Sequence, residues 1–238
     1  MNILLFPAPQ LGSDQCLTIT DSRQQEHLAK VLKPAVGDRL RVGEINGQIG
    51  FGEVLHHDQQ STQLSITLQE SSPPALPLKL LLAVPRPKML RRILQTCATL
   101  GVSEVKLINS AKVEKSFWQT PFLQPHKVYD NLLLGMEQGG LTHLPQLSQA
   151  KLFKPFVEDE LQQWSHGTKR LVAHPRDAQA CPTASLQPTT LAIGPEGGFT
   201  EYEIDMLAQQ GFTSISLGAR ILRVETAIPV AISKLMQL

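Results

Sequence analysis

From residue 78 onward, short apolar runs alternate with amphipathic segments, and this alternation constrains the fold more than any other feature. Apolar runs typical of buried strands occupy residues 78–84, 105–108, 170–173, 190–193 and 214–217. Segments with helical spacing occupy residues 89–100, 128–137 and 155–164. Strands and helices in alternation predict an α/β layer with a mostly parallel sheet.

The first 70 residues follow a different pattern, in which short strands are separated by turn signals. We predict strands at residues 17–20, 39–42, 49–55 and 63–68. The opening residues 1–7 have no basic region before their short apolar run, so they predict a further strand and not a signal peptide. One short helix is predicted where His27, Leu28, Val31 and Leu32 have helical spacing, before Lys33 and Pro34 close it. Together these patterns predict a small β-barrel that carries one helix.

A proline-rich segment separates the two patterns. Residues 71–77 contain three prolines, which restrict the backbone and remove donors that a sheet would need. We therefore place the domain boundary here, with a first domain at residues 1–72 and a second at residues 73–238.

The composition excludes a disordered chain and a membrane protein. The chain has 238 residues, of which 42% are hydrophobic and 18% charged, and no apolar run approaches the length of a membrane span. Cys16, Cys97 and Cys181 are far apart and form no zinc-binding spacing. We expect reduced thiols, no metal and a cytoplasmic location.

Positive charge is concentrated in the middle of the chain. The net charge of the whole chain is +1, but residues 73–130 hold nine Lys and Arg against three Asp and Glu. Such a group could neutralise RNA phosphates, or it could form a solvated helix face, and the charge alone favours neither. The nine cations are Lys79, Arg86, Lys88, Arg91, Arg92, Lys106, Lys112, Lys115 and Lys127.

The sharpest local signal is the sequence I-G-P-E-G-G-F-T at residues 193–200, which joins an apolar strand to a helix. Thr200 and Glu203 have the spacing of a capping box, and Gly211 closes the helix. Glycines at the end of a parallel strand allow a sharp turn and leave bare amides that can approach a ligand. A tight turn that binds no ligand is an equally good interpretation of these residues. The chain lacks the glycine patterns of dinucleotide-binding folds and P-loops, and the nucleophile and zinc-protease motifs.

A second turn of the same kind follows at residues 217–227, with the sequence L-G-A-R-I-L-R-V-E-T-A. In this segment too, the end of a strand is followed by a glycine and then by the start of a helix. Arg220, Arg223 and Glu225 add charge that a purely structural turn does not need. Two such turns on adjacent strands could form the sides of one ligand pocket.

These two motifs strongly resemble those of the 16S rRNA uridine-N3 methyltransferase family, within the SPOUT superfamily. Shorter matches extend over the chain: an H-x-x-x-V-L-K pattern at residues 27–33, L-G-V at 100–102, Glu137 with Gln138, and Pro145. The resemblance implies a C-terminal trefoil-knotted SPOUT domain and an N-terminal PUA-like, RNA-binding β-barrel. It also implies S-adenosyl-L-methionine as cofactor, ribosomal RNA or the small ribosomal subunit as partner, and a homodimer.

The resemblance also assigns a cofactor role to residues at three strand ends. His174 could instead be an ordinary strand-end histidine. The residues expected to bind the cofactor are Ala173, His174, Ile193, Gly194, Pro195, Glu196, Gly197, Gly198, Leu217, Gly218, Ile221, Leu222, Arg223, Thr226 and Ala227.

Methyl transfer to uracil N3 requires alignment of donor and acceptor and the removal of one proton. We expect Arg223 to orient the uracil or stabilise its charge, and Glu225 to accept the proton. Glu225 could instead pair with Arg220 or cap the helix. For Glu196, a role as proton acceptor and a purely structural role are both open. RNA contacts are expected from Lys33, Arg86, Lys88, Arg91, Arg92, Lys112 and Lys115.

The chain departs from the family pattern outside the two motifs. Thr96 and Thr99 replace the usual lysine and glutamate, Leu141 replaces an arginine, and residues 110–116 replace a serine–arginine segment. Several of these positions are of the kind that touches RNA. Two alternatives therefore stay open: a SPOUT enzyme that methylates another position such as the ribose 2′-oxygen, and an RNA-binding protein without turnover.

Overall fold

The computed structural model describes residues 1–175 and 177–238, which form two compact units. The first unit contains Met1–Pro74 together with Leu133–Leu144, and the second contains Ala75–Leu132 together with Pro145–Leu238. The segment Leu133–Leu144 lies far beyond the boundary expected near residue 72. The chain therefore contributes to the first unit twice.

The first unit is built on a five-stranded sheet. Strand β1 pairs with β3 in parallel, and the other neighbours are antiparallel. The four predicted strands and the initial strand are all confirmed. Buried and exposed side chains alternate along most of β4, whereas all three residues of β1 are buried. In the order β1-β3-β4-β5-β2, the strands are numbered β1 (Leu4–Phe6), β2 (Cys16–Ile19), β3 (Arg39–Glu44), β4 (Ile49–His57) and β5 (Thr62–Glu70).

The predicted short helix is present, but its C-terminal part is a π-turn. Helix α1 (Ser22–His27) begins at Asp21, whose carboxylate accepts a hydrogen bond from Gln24 N, and it continues as a π-turn at Leu28–Leu32. Of the predicted apolar face, Leu28 enters the core, whereas Val31 is 64% exposed. The wider π-turn, with a hydrogen bond from Lys33 N to Leu28 O, rotates the later residues away from the core.

The segment Leu133–Leu144 is bound tightly within the first unit. Glu137 is only 1% exposed, and its carboxylate accepts two hydrogen bonds from the Arg23 guanidinium at 2.6 and 2.8 Å. Thr142 Oγ1 donates to Gly47 O at 2.7 Å, and Leu144 N donates to Asn46 Oδ1 at 2.9 Å. The segment is thus part of this unit's structure and not a surface loop.

The second unit is built on a seven-stranded sheet in which all strand pairings are parallel. The α/β class is therefore confirmed. Strands β8 and β10 were not predicted; both are at the sheet edges and lack an apolar run. In the order β10-β12-β9-β11-β6-β7-β8, the strands are β6 (Leu76–Ala83), β7 (Val102–Ile108), β8 (Gln146–Ala150), β9 (Lys169–Ala173), β10 (Gln179–Ala180), β11 (Thr189–Ile193) and β12 (Thr213–Ser216).

Helices connect these strands. Helix α2 buries Leu90, Ile93, Leu94, Cys97 and Ala98, the spacing of one helical face, and Gly101 ends it at a φ of 77°. None of the helices described within residues 1–175 and 177–238 is long and apolar enough to span a membrane. The remaining helices are α3 (Pro125–Gly139), α4 (Phe153–Pro155), α5 (Leu161–Trp164), α6 (Glu201–Gln209) and α7 (Val224–Leu235), and α2 itself is Pro87–Thr99.

Candidate functional site

The candidate site lies at the carboxyl edge of the parallel sheet in the second unit. Strand β11 lies between β9 and β6, so the connections after these strands come together at one edge. The chain also leaves β12, the other neighbour of β9, at this edge. Ligands of open α/β sheets bind at such an edge, where the strand order reverses.

The turn after β11, residues 194–199, depends on its glycines for steric reasons. We call it the glycine turn. A Cβ on Gly194 would lie 2.8 Å from Phe199 N, closer than real Cβ atoms approach a neighbouring atom. Gly198 has a φ of 68°, and its N–H donates to Pro195 O at 2.7 Å. Phe199 anchors the end of the turn by packing against Phe153, with ring centroids 6.1 Å apart.

The predicted capping box after the glycine turn is confirmed. Thr200 Oγ1 accepts a hydrogen bond from Glu203 N at 3.3 Å, and Glu203 Oε2 accepts one from Thr200 N at 2.8 Å. The predicted end of the helix is also confirmed, because α6 ends at Gln209 and Gly211, two residues later, has a φ of 82°. The start of α6 is thereby fixed by local sequence.

The second turn, residues 217–223, leads from β12 into α7. Gly218 has a φ of 137°, and its N–H donates to Ser216 Oγ at 3.2 Å. Arg223 is the residue that precedes α7, and its carbonyl accepts hydrogen bonds from Thr226 N and Ala227 N. Its side chain is exposed, whereas Glu225 is partly buried in the first turn of the helix.

A cavity of about 110 Å³, which we call the strand-end cavity, lies against the second turn. Seven of the residues predicted to bind the cofactor line it, and Ile221 at its border is 93% exposed. Pro175, Ile215, Ser216 and Arg220 also line it. The predicted residues are Ala173, His174, Leu217, Gly218, Ile221, Leu222 and Ala227.

A larger cavity of about 770 Å³, which we call the charged cavity, contains both predicted catalytic residues, Arg223 and Glu225. It also contains Glu196 of the glycine turn, whose Oε1 accepts a hydrogen bond from Arg86 N at 3.1 Å. The full lining is Arg86, Pro87, Lys88, Met89, Glu114, Phe117, Glu196, Arg223 and Glu225.

The two cavities divide the predicted site residues between them. Arg223, Glu225 and Glu196 border the charged cavity, and the apolar residues of the second turn border the strand-end cavity. The other predicted cofactor residues do not line either cavity as the structure describes them. Of these, Ile193, Gly194 and Pro195 are buried, Gly197 and Thr226 are exposed, and Gly198 is partly buried.

The predicted RNA-binding cations occupy several different positions. Arg86 and Lys88 line the charged cavity. Lys112 Nζ donates to Gly197 O at 2.7 Å, and the Arg91 guanidinium lies 5.1 Å from the centre of the Phe122 ring. The remaining three are exposed: Arg92 on α2, Lys115 at the start of a 3₁₀ turn, and Lys33 in the first unit.

Sequence reasoning did not identify Glu114 and Phe117, which line the charged cavity. Both lie in the basic middle segment, but no motif marks them, and only the fold brings them to the strand edge. It also did not assign a site role to Glu203, although the capping-box spacing identified this residue.

Comparison with known proteins identifies the class of the domain that carries this fold and these two turns. Residues 71–236 match the model of the RNA methyltransferase domain family, and the chain belongs to that family. A relative of Treponema pallidum, the ribosomal RNA small subunit methyltransferase E, is 30% identical over 233 residues, covering 95% of this chain and 87% of the relative. The family resemblance drawn from the two motifs is thereby confirmed.

Solved structures show the same fold over nearly the whole chain. A methyltransferase of Legionella pneumophila, solved with bound S-adenosylmethionine, has a TM-score of 0.77 at 24% identity and covers 98% of this chain and 95% of that one. The ribosomal RNA small subunit methyltransferase E of Neisseria gonorrhoeae, also bound to S-adenosyl methionine, has a TM-score of 0.75 at 19% identity, with coverages of 97% and 95%.

Proposed function

We propose that this protein is an S-adenosylmethionine-dependent rRNA methyltransferase that methylates N3 of a uridine in 16S rRNA. The proposal rests on one observation: Arg223, Glu225 and Glu196 line the same cavity, beside the two turns at the carboxyl edge of the sheet. The near-full-length relatives named ribosomal RNA small subunit methyltransferase E support the substrate class and, through it, the uridine N3 position.

The residues of the strand-end cavity fit the proposed cofactor. Leu217, Ile221 and Leu222 offer apolar side chains, while the backbone at Gly218 has no side chain to hinder close approach. Such a combination suits an adenine ring, which has apolar faces and a hydrogen-bonding edge. Ala173, His174 and Ala227 also line the cavity. When bound, S-adenosylmethionine supplies a methyl group that is already activated for transfer.

In the charged cavity, Arg223 and Glu225 have complementary roles. The Arg223 guanidinium is a planar set of donors, suited to the uracil carbonyl oxygens and to the negative charge that develops as N3 loses its proton. The Glu225 carboxylate accepts that proton. Phe117 and Met89 give the cavity an apolar side against which a base can lie, and Arg86 and Lys88 supply charge for the phosphates.

The finer architecture is also part of the proposal. We assign a PUA-like barrel that binds RNA to the first unit and a trefoil-knotted SPOUT domain to the second unit. The five-stranded sheet of the first unit supports the former, and the seven-stranded parallel sheet supports the latter. RNA contacts are assigned to the predicted cations, which include Lys33, Lys112 and Lys115. We further propose a homodimer that acts in the cytoplasm, where ribosomal RNA is found.

The proposal is tested by incubating the purified protein with S-adenosylmethionine and unmodified small ribosomal subunits, followed by mass spectrometry of the nucleosides. We expect 3-methyluridine, and none when S-adenosylmethionine is omitted. A methyl group on the ribose would instead identify the 2′-oxygen as the acceptor. Removal of the sugar distinguishes the two products, because a methyl group on the base is retained and one on the ribose is lost. No methyl mark, on free 16S rRNA or on subunits, would contradict the enzymatic function.

A further inference from the structure

Thr200, the residue that directly follows the glycine turn, is held by a buried carboxylate that also contacts a distant segment of the chain. Glu203 is 3% exposed, and its Oε2 accepts hydrogen bonds from both the N–H and the hydroxyl of Thr200, at 2.8 and 3.0 Å. Its other oxygen, Oε1, accepts a hydrogen bond from Ala111 N at 2.7 Å, 92 residues away in the sequence. A capping box needs only the first of these oxygens. The second links the start of α6, directly after the glycine turn, to the segment that follows β7.

A second contact joins the segment after β7 to the glycine turn itself. Lys112 Nζ donates to Gly197 O at 2.7 Å, and a Cβ on Gly197 would lie 2.9 Å from Lys112 Cδ. The lysine side chain therefore lies directly over the glycine. A carbonyl in the middle of the turn is held in one direction as a result.

The segment to which the turn is linked is itself fixed. Asn109 N donates to Ala150 O on the edge strand β8, and Asn109 Oδ1 accepts a hydrogen bond from Trp118 Nε1 at 3.0 Å. Val113 N donates to Ser110 O, which closes a turn around Ala111. The links through Glu203 and Lys112 therefore join the glycine turn to a well-anchored part of the sheet edge.

We infer that Glu203 and Lys112 are positioning residues for methyl transfer, which act by holding the glycine turn in the geometry that the reaction needs. A turn with three glycines loses more conformational freedom on ordering than other sequences, so its geometry depends on such contacts. Glu196, in the same turn, borders the cavity of Arg223 and Glu225. A displacement of about 1 Å at such a site costs about a hundredfold in rate. This inference rests on the proposed function.

The variant Glu203→Gln separates the two roles of the carboxylate. Glutamine has one acceptor oxygen, which we expect to stay with the two donors of Thr200. Its amino group then meets Ala111 N–H, donor against donor, and the link between the segments is lost. We expect kcat to fall about tenfold, with KM for RNA within about threefold of wild type. Amide exchange at Ala111 should become faster.

The matched control is Thr200→Ala, which weakens the cap but leaves Glu203 Oε1 on Ala111. We expect this control to lower stability comparably while kcat stays within about twofold of wild type. Equal losses of kcat in the two variants, or a wild-type kcat in Glu203→Gln, would show that Glu203 is merely structural. If Glu203→Gln does not fold, the variant Lys112→Met tests the inference, because Lys112 is exposed and its replacement should not disturb the core. A lower kcat at saturating RNA with an unchanged Tm supports the inference. An unchanged kcat overturns it. Inactive wild-type protein would instead overturn the proposed function, and this inference with it.

Discussion

At the scale of single residues, the site combines groups that local sequence marks with groups that only the fold brings near. Gly194, Gly198 and Gly218 are recognisable because each meets a local steric or backbone requirement. Thr200 and Glu203 are recognisable because a capping box has a fixed spacing. Glu114 and Phe117 carry no such mark, since their role depends on where β7 ends relative to β6 and β11. Sequence therefore predicts the glycine turn and the second turn better than it predicts the other residues that line the charged cavity.

The position of Arg223 leads to a prediction about rate and affinity. Its guanidinium borders the charged cavity and not the strand-end cavity. We expect Arg223→Ala to lower the single-turnover methylation rate by about a hundredfold, the loss typical of an electrostatic group at a reacting centre. Calorimetry should show S-adenosylmethionine affinity within about threefold of wild type.

The control for this prediction is Lys154→Ala, which removes an exposed cation that pairs with Glu158 on the surface of the same unit. We expect both rate and affinity to be unchanged. Parallel losses of rate and affinity in Arg223→Ala would show that Arg223 serves cofactor binding or folding instead.

At the scale of elements, periodicity identified the strands and helices with strong apolar patterns. The strands of the first sheet and the helices α2, α3 and α6 lie where the sequence predicts them, with ends that differ by a few residues. Strand β8 was missed because Gln146–Ala150 contains one large apolar residue among polar ones, as an edge strand can. Strand β6 begins at Leu76, inside the predicted linker, and includes Pro77 where its pairing with β7 is irregular.

The ion pair that joins α1 to the last part of α3 should stabilise the first unit. Arg23 is 38% exposed on its side chain, but Glu137 is fully enclosed, so loss of the arginine leaves a buried carboxylate without its main partner. We expect Arg23→Ala to lower the free energy of unfolding by about 2 kcal/mol, less than for a fully buried pair because Arg23 is partly solvated. Urea denaturation would measure the difference.

Lys30→Ala provides the comparison, because Lys30 pairs with Glu26 on the exposed side of the same helical segment. Its effect on stability should be negligible. Arg23→Lys should fall between the two variants, since lysine cannot make the bidentate contact. Equal stability of Arg23→Ala and wild type would contradict a structural role for the pair.

At the scale of the whole molecule, the buried thiol of Cys97 should make stability depend on pH in the alkaline range. Burial raises the pKa of this thiol to about 12, from 9.0. Because the folded state disfavours the thiolate, the contribution of Cys97 is fully present below about pH 9 and is lost as the pH rises towards 12. We expect wild type to lose about 1.4 kcal/mol per pH unit through this group above pH 9.

Replacing the thiol identifies this contribution. Cys97→Ala leaves a small cavity, a cost that does not change with pH, and it retains Cys16 and Cys181. The difference in unfolding free energy between wild type and variant, measured by denaturation from pH 8.5 to 10.5, should therefore shrink as pH rises. Parallel curves would show that Cys97 does not titrate on unfolding.

The assignment of Leu133–Leu144 to the first unit has a consequence for how the protein is made. Glu137, Thr142 and Leu144 supply partners to Arg23, Gly47 and Asn46, which precede them by roughly a hundred residues. During synthesis, the N-terminal sheet therefore emerges from the ribosome long before the segment that completes it. The first unit reaches its final form only after the first part of the second unit, Ala75–Leu132, has been translated. Its maturation therefore depends on a segment encoded near the middle of its own message.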